Sequence, residues 1–447
     1  MSTKTSIGNN GIYDASELGN GKMVVLGLQH MFAMFGATVL VPALTGLSVS
    51  ATLLFAGLGT LLFHLLSKGK VPAFLGSSFA FLAGYWAIAP NGESELLPYA
   101  CLGVASAGLL YLVLSLLFKV FDAKRVMRYF PPIVTGPIII AIGLTLSSSA
   151  IGNCNANWWI ALVAILVVIV CNIWGKGMIK IVPILLGVVA SYVVAAVTGN
   201  VDFTAVNEAA WIGLPFKMEN TVFSIFKAPD TSLIITSIIT IMPIAIATIV
   251  EHIGDISAIS STVNKNYIKD PGLHRTLLGD GLATIGASLF GAPANTTYGE
   301  NTGVLALTKV YDPKVIRIAA LFAILFSFSP KFASLVSSIP AATIGGVSLI
   351  LYGMISAIGV RNVVENKVDF AKSRNVIIAA LILVLSIGIK FGSETGAIVF
   401  SFSNVTISLS GLAVGAIVGI VLNAVLPGKD YEFGKDPQGD SSAILKV

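Results

Sequence analysis

Residues 293–303 read Pro-Ala-Asn-Thr-Thr-Tyr-Gly-Glu-Asn-Thr-Gly, a polar stretch set between long apolar runs. The chain has 447 residues, of which 55% are hydrophobic and only 11% are charged, whereas soluble domains carry about 25% charged residues. Lipid must therefore surround most of the chain. Within a membrane, a polar and interrupted segment is tolerated only where protein buries it or where it lines a cavity. The stretch thus predicts a polytopic membrane protein with an internal polar site.

Apolar runs divide the chain into segments that are long enough to cross a bilayer, which takes about 20 residues in a helix. The third and tenth segments are short and are interrupted by proline, glycine or polar residues. We predict an all-α protein with fourteen segments, at 23–47, 50–67, 71–91, 98–118, 131–150, 157–174, 179–198, 231–255, 276–291, 293–308, 315–330, 338–360, 375–391 and 410–426.

Lysine and arginine are distributed unevenly between the loops on the two sides. With the N-terminus in the cytoplasm, 18 of them fall in cytoplasmic loops and 4 in outer loops, as the positive-inside rule requires. We therefore predict a multi-pass protein of the cell membrane with both termini in the cytoplasm. The net charge of +5 lies in short clusters between spans, which argues against nucleic-acid binding. The three cysteines have no metal-site or disulfide spacing, and we expect no metal and no cofactor.

A weak internal repeat relates the two halves of the chain. Gln29-His30 recurs 222 residues later as Glu251-His252, and Pro72-Ala73 recurs 221 residues later as Pro293-Ala294. Residues 57–60 similarly recur at 281–284. The offset spans seven segments, an odd number, so the halves would have opposite orientations in the membrane. Inverted repeats with broken helices are typical of secondary transporters.

Acidic residues inside the predicted spans are expected at three positions, Glu251, Asp255 and Glu300. An ionisable residue at membrane depth costs about 2.5 kcal/mol or more and usually marks a transport pathway or a site. We interpret Glu251 and Glu300 as site residues. Asp255 fits a site as well as it fits the solvated end of a helix, since segment eight is predicted to end there.

Aromatic and histidine residues extend the candidate site. The repeat aligns Glu300 with Phe79 in the broken third segment, and Phe79 and Tyr298 would offer flat apolar surfaces to a planar ligand. His30 in the first segment matches His252 in the repeat; each fits a site or a hydrogen-bonded structural role. His64 lies one turn from a predicted cytoplasmic end, and we expect it to be interfacial.

The stretch NTTYGENTGVLALTKV resembles the signature of the nucleobase–ascorbate transporter family. The runs QHMFAMFGATVLVP, VPAFLGSSFAF, EHIGD and GGVSLILYG are similar to those of its bacterial uracil permeases, and the resemblance covers residues 22–426. It implies two inverted repeats of seven segments, with a core domain that holds the site and a gate domain that moves against it. The implied parts are a tail at 1–22, core at 23–119, gate at 131–199, core at 231–330, gate at 338–426 and a tail at 427–447.

The resemblance also implies roles for individual residues. Carboxylates would accept hydrogen bonds from the two ring N–H groups of uracil, and backbone groups near the broken segments would bind its carbonyls. The residues implied for substrate binding are Glu251, Glu300, Phe79, Gly299, Tyr298, Tyr352 and Ala37. For proton coupling we predict Glu251, Asp255 and His30, as our own interpretation of buried titratable groups in the spans. A homodimer is expected as well.

Asp255 departs from the family pattern, since relatives commonly carry histidine four residues after the first glutamate. Spaced i,i+4 on a helix, Glu251 and Asp255 would lie on one face about 6 Å apart. We expect such a pair to share one proton near neutral pH and to titrate as a unit.

The function that the sequence favours is uracil import by proton symport with alternating access. A xanthine or other nucleobase carrier, a channel and a membrane-embedded enzyme are the alternatives, and the last has no catalytic motif in its support.

Overall fold

The structure is a computed structural model that describes residues 11–121, 123–402 and 405–429. Helices form where apolar runs are rich in alanine, leucine and isoleucine, and several of them end at a glycine or asparagine, namely Gly46, Asn155, Asn264 and Asn366. The elements of the first half are α1 Asn20–Thr45, α2 Val49–Leu66, β1 Leu75–Ser77, α3 Leu82–Ile88, α4 Leu97–Val120, α5 Ala123–Met127, α6 Pro132–Cys154, α7 Trp158–Ile173, α8 Met178–Ile181 and α9 Pro183–Val197.

The second half repeats this plan after a long connection. Its elements are α10 Thr204–Glu208, α11 Thr231–Ile241, α12 Ala245–Val263, α13 Leu273–Leu289, β2 Asn295–Thr297, α14 Gly299–Thr308, α15 Pro313–Ser327, α16 Pro330–Ser337, α17 Ala341–Glu365, α18 Ser373–Gly392, β3 Ala397–Phe402, β4 Val405–Ser410 and α19 Gly411–Val425. A short 3-10 turn, Met242–Ile244, joins α11 to α12, and Pro243, which has no N–H to donate, explains why the α-helical hydrogen bonding is interrupted there.

Membrane-spanning length is reached by seven helices of the described chain, counting α11 and α12 as one. The pair α15 and α16 is long and apolar enough together but is bent by 90°. Three further apolar helices, α7, α9 and α19, are shorter. Every one of the fourteen predicted segments contains a helix, and the prediction of an all-α chain with many spans is confirmed.

The third and tenth segments are broken as predicted, and their extended parts pair with each other. Strands β1 and β2 are antiparallel, with Gly76 opposite Thr296 at the centre of the register. These two residues are 220 positions apart, close to the offset of the sequence repeat. Each strand leads into a short helix, α3 or α14, so two half-spans meet inside the protein.

Helix contacts in one half have counterparts in the other. The pair α4 and α13 corresponds to α15 and α2, the pair α11 and α4 to α1 and α15, the pair α7 and α9 to α18 and α19, and the pair α17 and α7 to α6 and α18. The helices α6 and α17, which correspond to each other, pack together extensively. This symmetry of contacts is what two equivalent halves related by a twofold axis produce.

Two features differ from the sequence prediction. Helix α12 continues to Val263 and ends where Asn264 adopts a left-handed conformation, so Glu251 and Asp255 lie within the helix. The prediction that segment eight ends at residue 255 was therefore wrong. Residues between α18 and α19, which lie outside the predicted segments, form the antiparallel pair of β3 and β4, and β4 packs against α11.

An N-terminal segment, residues 11–19, packs against the ends of α12, α14 and α15. The N–H of Ile12 donates to the carbonyl of Lys309, and its carbonyl accepts from Tyr311 N–H, both at 2.8 Å. The amide of Ala15 donates to the carboxylate of Asp312 at 2.8 Å. Hydrogen bonds from Ser16 and Lys314 lower the pKa of Asp14 to about 2, so its carboxylate is ionised at neutral pH, and it lies 3.0 Å from Lys314 Nζ.

Candidate functional site

The centre of the candidate site is the place where β1 and β2 pair. The hydroxyl of Tyr298 donates to the carbonyl of Ser77 at 2.8 Å, and the hydroxyl of Ser77 donates to the carbonyl of Thr38 at 2.9 Å. A Cβ at Gly76 would lie 2.5 Å from the Tyr298 ring and 2.7 Å from the Thr38 hydroxyl. Glycine is therefore required at position 76 for the tyrosine to cover the strand.

Asp255 faces this centre. Its carboxylate accepts a hydrogen bond from the Thr297 hydroxyl at 2.9 Å, and only 8% of the residue is exposed. A Cβ at Gly299 would lie 3.9 Å from the other carboxylate oxygen. Burial against β2 excludes the alternative in which Asp255 is a solvated residue at a helix end.

Two aromatic rings bound the same region. The rings of Phe79 and Tyr352 meet edge to face with centroids 5.7 Å apart, and both residues are buried. Phe79 comes from the turn after β1, whereas Tyr352 comes from the middle of α17. Ala37 lies fully buried on α1. The contact between Phe79 and Tyr352 joins the broken third segment to α17, the helix of the twelfth predicted segment.

The two predicted glutamates occupy different elements. Glu251 is half-buried on α12, four residues before Asp255, so the i,i+4 helical spacing is present. Glu300 is the second residue of α14, and its side chain lies outside the part of the chain that the structure describes. Gly299 begins α14, immediately after Tyr298. The assignment of substrate and proton roles to these residues stays a prediction.

A pair of buried titratable groups was not predicted from the sequence. His252 Nδ1 lies 2.7 Å from a carboxylate oxygen of Asp280, and both side chains are fully buried. Asp280 lies in α13, so the expectation of only three acids within the spans was wrong. Asp280 already falls inside the predicted segment 276–291, whereas its pairing with His252 follows from no spacing rule in the sequence.

The remaining histidines also differ in their surroundings. His30 is fully buried on α1, and neither ring nitrogen has a hydrogen-bond partner among the described residues. The repeat places Ala56 where Asp280 would have to be, which explains why His30 lacks the partner that His252 has. His64 was expected to be interfacial, and this was wrong: it is 2% exposed, with Nε2 lying 2.9 Å from the carbonyl of Ala73.

Comparisons with known proteins agree on the class of molecule. The sequence profile described as "Permease family" matches residues 21–395. The chain is 42% identical over 419 residues to the uracil permease of Bacillus caldolyticus, covering 92% of this chain and 93% of that protein. It is 39% identical over 433 residues to the uracil permease of Bacillus subtilis (strain 168), covering 94% of each.

Solved structures show a shared fold at low sequence identity. The transmembrane domain of the cyanobacterial bicarbonate transporter BicA matches with a TM-score of 0.60 and 15% identity over 93% of this chain and 99% of that chain. SLC26A9 matches with a TM-score of 0.65 and 12% identity over 92% of this chain and 66% of that chain. The fold is thus all-α, with two inverted repeats of seven segments arranged as core and gate. The chain belongs to the permease family known as the nucleobase–ascorbate transporters, and it is a multi-pass membrane transporter.

Proposed function

We propose that this chain imports uracil together with a proton, by exposing one internal site alternately to the two sides of the membrane. The observation that carries the proposal is the meeting of the two half-spans, which brings an acidic side chain, a helix start and two aromatic rings together inside an apolar protein. The identity to uracil permeases over nearly the whole chain supports uracil as the substrate.

Hydrogen-bond donors for the substrate carbonyls come from the start of α14. The backbone groups next to the strands are already hydrogen-bonded to each other, since Ser78 N–H donates to the carbonyl of Ala294 and Tyr298 N–H donates to the carbonyl of Phe74. The first N–H groups of a helix have no intrahelical acceptors, and the residue before α14, Tyr298, makes no side-chain capping bond. The amides that follow Tyr298 are therefore suited to a planar ligand with two carbonyl oxygens.

Acceptors and surfaces complete the proposed site. Glu251 and Glu300 would accept the two ring N–H groups of uracil, because ionised carboxylates only accept. Phe79, Tyr298 and Tyr352 would enclose the ring, with Gly299 and Ala37 leaving room for it.

Proton coupling is proposed for Glu251, Asp255 and His30. The first two share a face of α12, and the bond from Thr297 ties Asp255 to the strand that precedes Glu300. His30 contributes a buried imidazole whose nitrogens lack partners among the described residues. Protonation of Asp255 and substrate binding can influence each other, because Asp255 is hydrogen-bonded to β2 and β2 leads directly into α14, which would bind the substrate.

Alternating access would arise from motion between two groups of helices. We propose a core at 23–119 and 231–330 and a gate at 131–199 and 338–426, with cytoplasmic tails at 1–22 and 427–447. The contact between Phe79 and Tyr352 lies on this boundary. We also propose a homodimer in the cell membrane with both termini in the cytoplasm.

Uptake of labelled uracil into proteoliposomes tests the function. We expect saturable uptake that a pH gradient, acidic outside, drives uphill and that a protonophore abolishes. Unlabelled uracil should compete, while xanthine and hypoxanthine should compete at least about tenfold less well, since each mismatched buried hydrogen bond costs about 1–3 kcal/mol. Stronger competition by xanthine would replace uracil with a purine substrate, non-saturable flux would indicate a channel, and a requirement for sodium would overturn proton coupling.

A further inference from the structure

A basic cavity lies outside the candidate site, at the predicted cytoplasmic end of α4. Its volume is about 300 Å³, and it opens between this helix end and the loop that joins α12 to α13. Phe118, Phe121 and Leu273 supply apolar walls, and Lys119, Lys269 and His274 supply polar ones.

Cations outnumber carboxylates in the segments that form the cavity. Residues 66–70, 113–122 and 264–275 contain six lysines and arginines but two carboxylates, Asp122 and Asp270. Asp270 is already engaged in a 2.5 Å ion pair with Lys70. Within the described part of the chain, neither Lys119 nor Lys269 forms an ion pair, and both are exposed.

His274 lines the cavity together with Lys119 and Lys269. Partial burial, followed by the positive charges of Arg275, Lys119 and Lys68, lowers the pKa of His274. The lysines rather than the imidazole therefore carry the positive charge of the cavity at neutral pH. A phosphate placed there would interact favourably with the lysines and with any protonated imidazole.

The wall of the cavity is fixed by helix packing. The hydroxyl of Ser115 donates to the carbonyl of His274 at 2.5 Å, which ties α4 to the start of α13. Ile268 and Leu273 are buried beneath the loop. The lysines consequently stand at the rim of a preformed depression.

An apolar stripe on α4 leads from this cavity into the membrane. Its members recur every three or four residues, are at least 39% exposed and are all aliphatic: Leu109, Val113, Leu116, Leu117 and Val120. Residues with this spacing lie on one helix face. The stripe offers a lipid-facing surface that continues to the basic cavity without an intervening charge.

We propose that the cavity binds the phosphate of an anionic phospholipid headgroup, with the acyl chains lying along the exposed stripe of α4. Basic pockets at the cytoplasmic side of membrane helices suit anionic headgroups. The combination of two lysines that form no ion pair in the described part of the chain with a continuous apolar stripe selects a lipid over a soluble phosphate, which would gain nothing from the stripe.

The test compares two double variants of the full-length protein in phosphatidylcholine nanodiscs. Lys119→Gln with Lys269→Gln removes two charges at the cavity. Lys176→Gln with Lys180→Gln removes two exposed charges elsewhere on the predicted cytoplasmic side and is the matched control. Binding of fluorescent phosphatidylglycerol is measured together with the melting temperature. Loss of about 1 kcal/mol per lysine predicts binding about 30-fold weaker in the first variant, with the control unchanged.

Other arms separate the sources of the anion. Phosphatidylglycerol should raise the melting temperature of the parent protein, whereas inorganic phosphate at equal concentration should not. Arginine at both cavity positions should retain binding. The proposal is overturned if both double variants lose binding equally, if phosphatidylcholine stabilises as well as phosphatidylglycerol, or if inorganic phosphate alone reproduces the effect. None of these readouts depends on uracil transport.

Discussion

Thr297 is the residue through which the carboxylate of Asp255 contacts the broken tenth segment. Its hydroxyl donates the 2.9 Å hydrogen bond to Asp255, while the neighbouring Thr296 is equally buried and its hydroxyl has no partner among the described residues. Two adjacent threonines thus differ in a single interaction, and they separate the effect of that hydrogen bond from the effect of losing a hydroxyl.

Thr297→Val should weaken uracil binding, because it removes a hydrogen bond to a carboxylate worth about 1.5–3 kcal/mol, or about 10- to 150-fold if the bond is needed for the bound state. Thr297→Ser should retain binding. Calorimetric titration with uracil in detergent measures both.

Thr296→Val is the control, and we expect it to bind within about twofold of the parent, since no hydrogen bond is lost. Equal losses at positions 296 and 297 would show that the region tolerates no change and that the bond to Asp255 has no special role.

At the scale of elements, the pairing of β1 with β2 determines where the half-spans meet. Gly76 occupies the centre of the register opposite Thr296, beneath the ring of Tyr298. The position of both short helices depends on this close approach, since each follows its strand directly.

Gly76→Ala should disrupt the packing of Tyr298 on the paired strands β1 and β2, because the new Cβ would lie 2.5 Å from the Tyr298 ring. Overpacking of this kind costs about 1–3 kcal/mol. We expect a lower melting temperature and loss of uracil binding. Gly286→Ala on α13 is the matched control, since a Cβ there meets nothing within 4 Å. A normal melting temperature and normal binding in Gly76→Ala would contradict the close approach.

The sequence predicted some of these elements and missed others for physical reasons. Polar and proline-containing stretches at 71–81 and 293–303 indicated broken spans, because lipid cannot satisfy irregular backbone. The hairpin at 397–410 was missed although residues 405–410 read Val-Thr-Ile-Ser-Leu-Ser, the period-two alternation of a strand. The contacts of Asp255 with Thr297 and of His252 with Asp280 join residues far apart in the chain, so no local spacing indicates them.

At the scale of the whole molecule, the proposed orientation follows from the distribution of lysine and arginine. The chain is similar in fold to BicA and SLC26A9 at 15% and 12% identity, so the architecture does not depend on a particular set of site residues. The loops that carry the charge bias are the part of this architecture that a direct experiment can assign to one side of the membrane.

Cysteine labelling in intact cells tests the orientation. With Cys171, the half-buried native cysteine, replaced by serine, Lys227→Cys should react with a membrane-impermeant maleimide from outside. Lys176→Cys should react only after the cells are opened. The opposite pattern would invert the molecule and place both termini outside, whatever the substrate.

The N-terminal segment also constrains the order in which the protein can be completed. Asp14 pairs with a lysine 300 residues later, and Ala15 bonds a carboxylate 297 residues later. At about 5–20 residues per second of synthesis, residues 14 and 15 must wait roughly 15 to 60 seconds for these partners to leave the ribosome. The segment 11–19 is therefore translated early but docks late, and a nascent chain interrupted before residue 314 would present this segment undocked to the quality-control machinery of the cell.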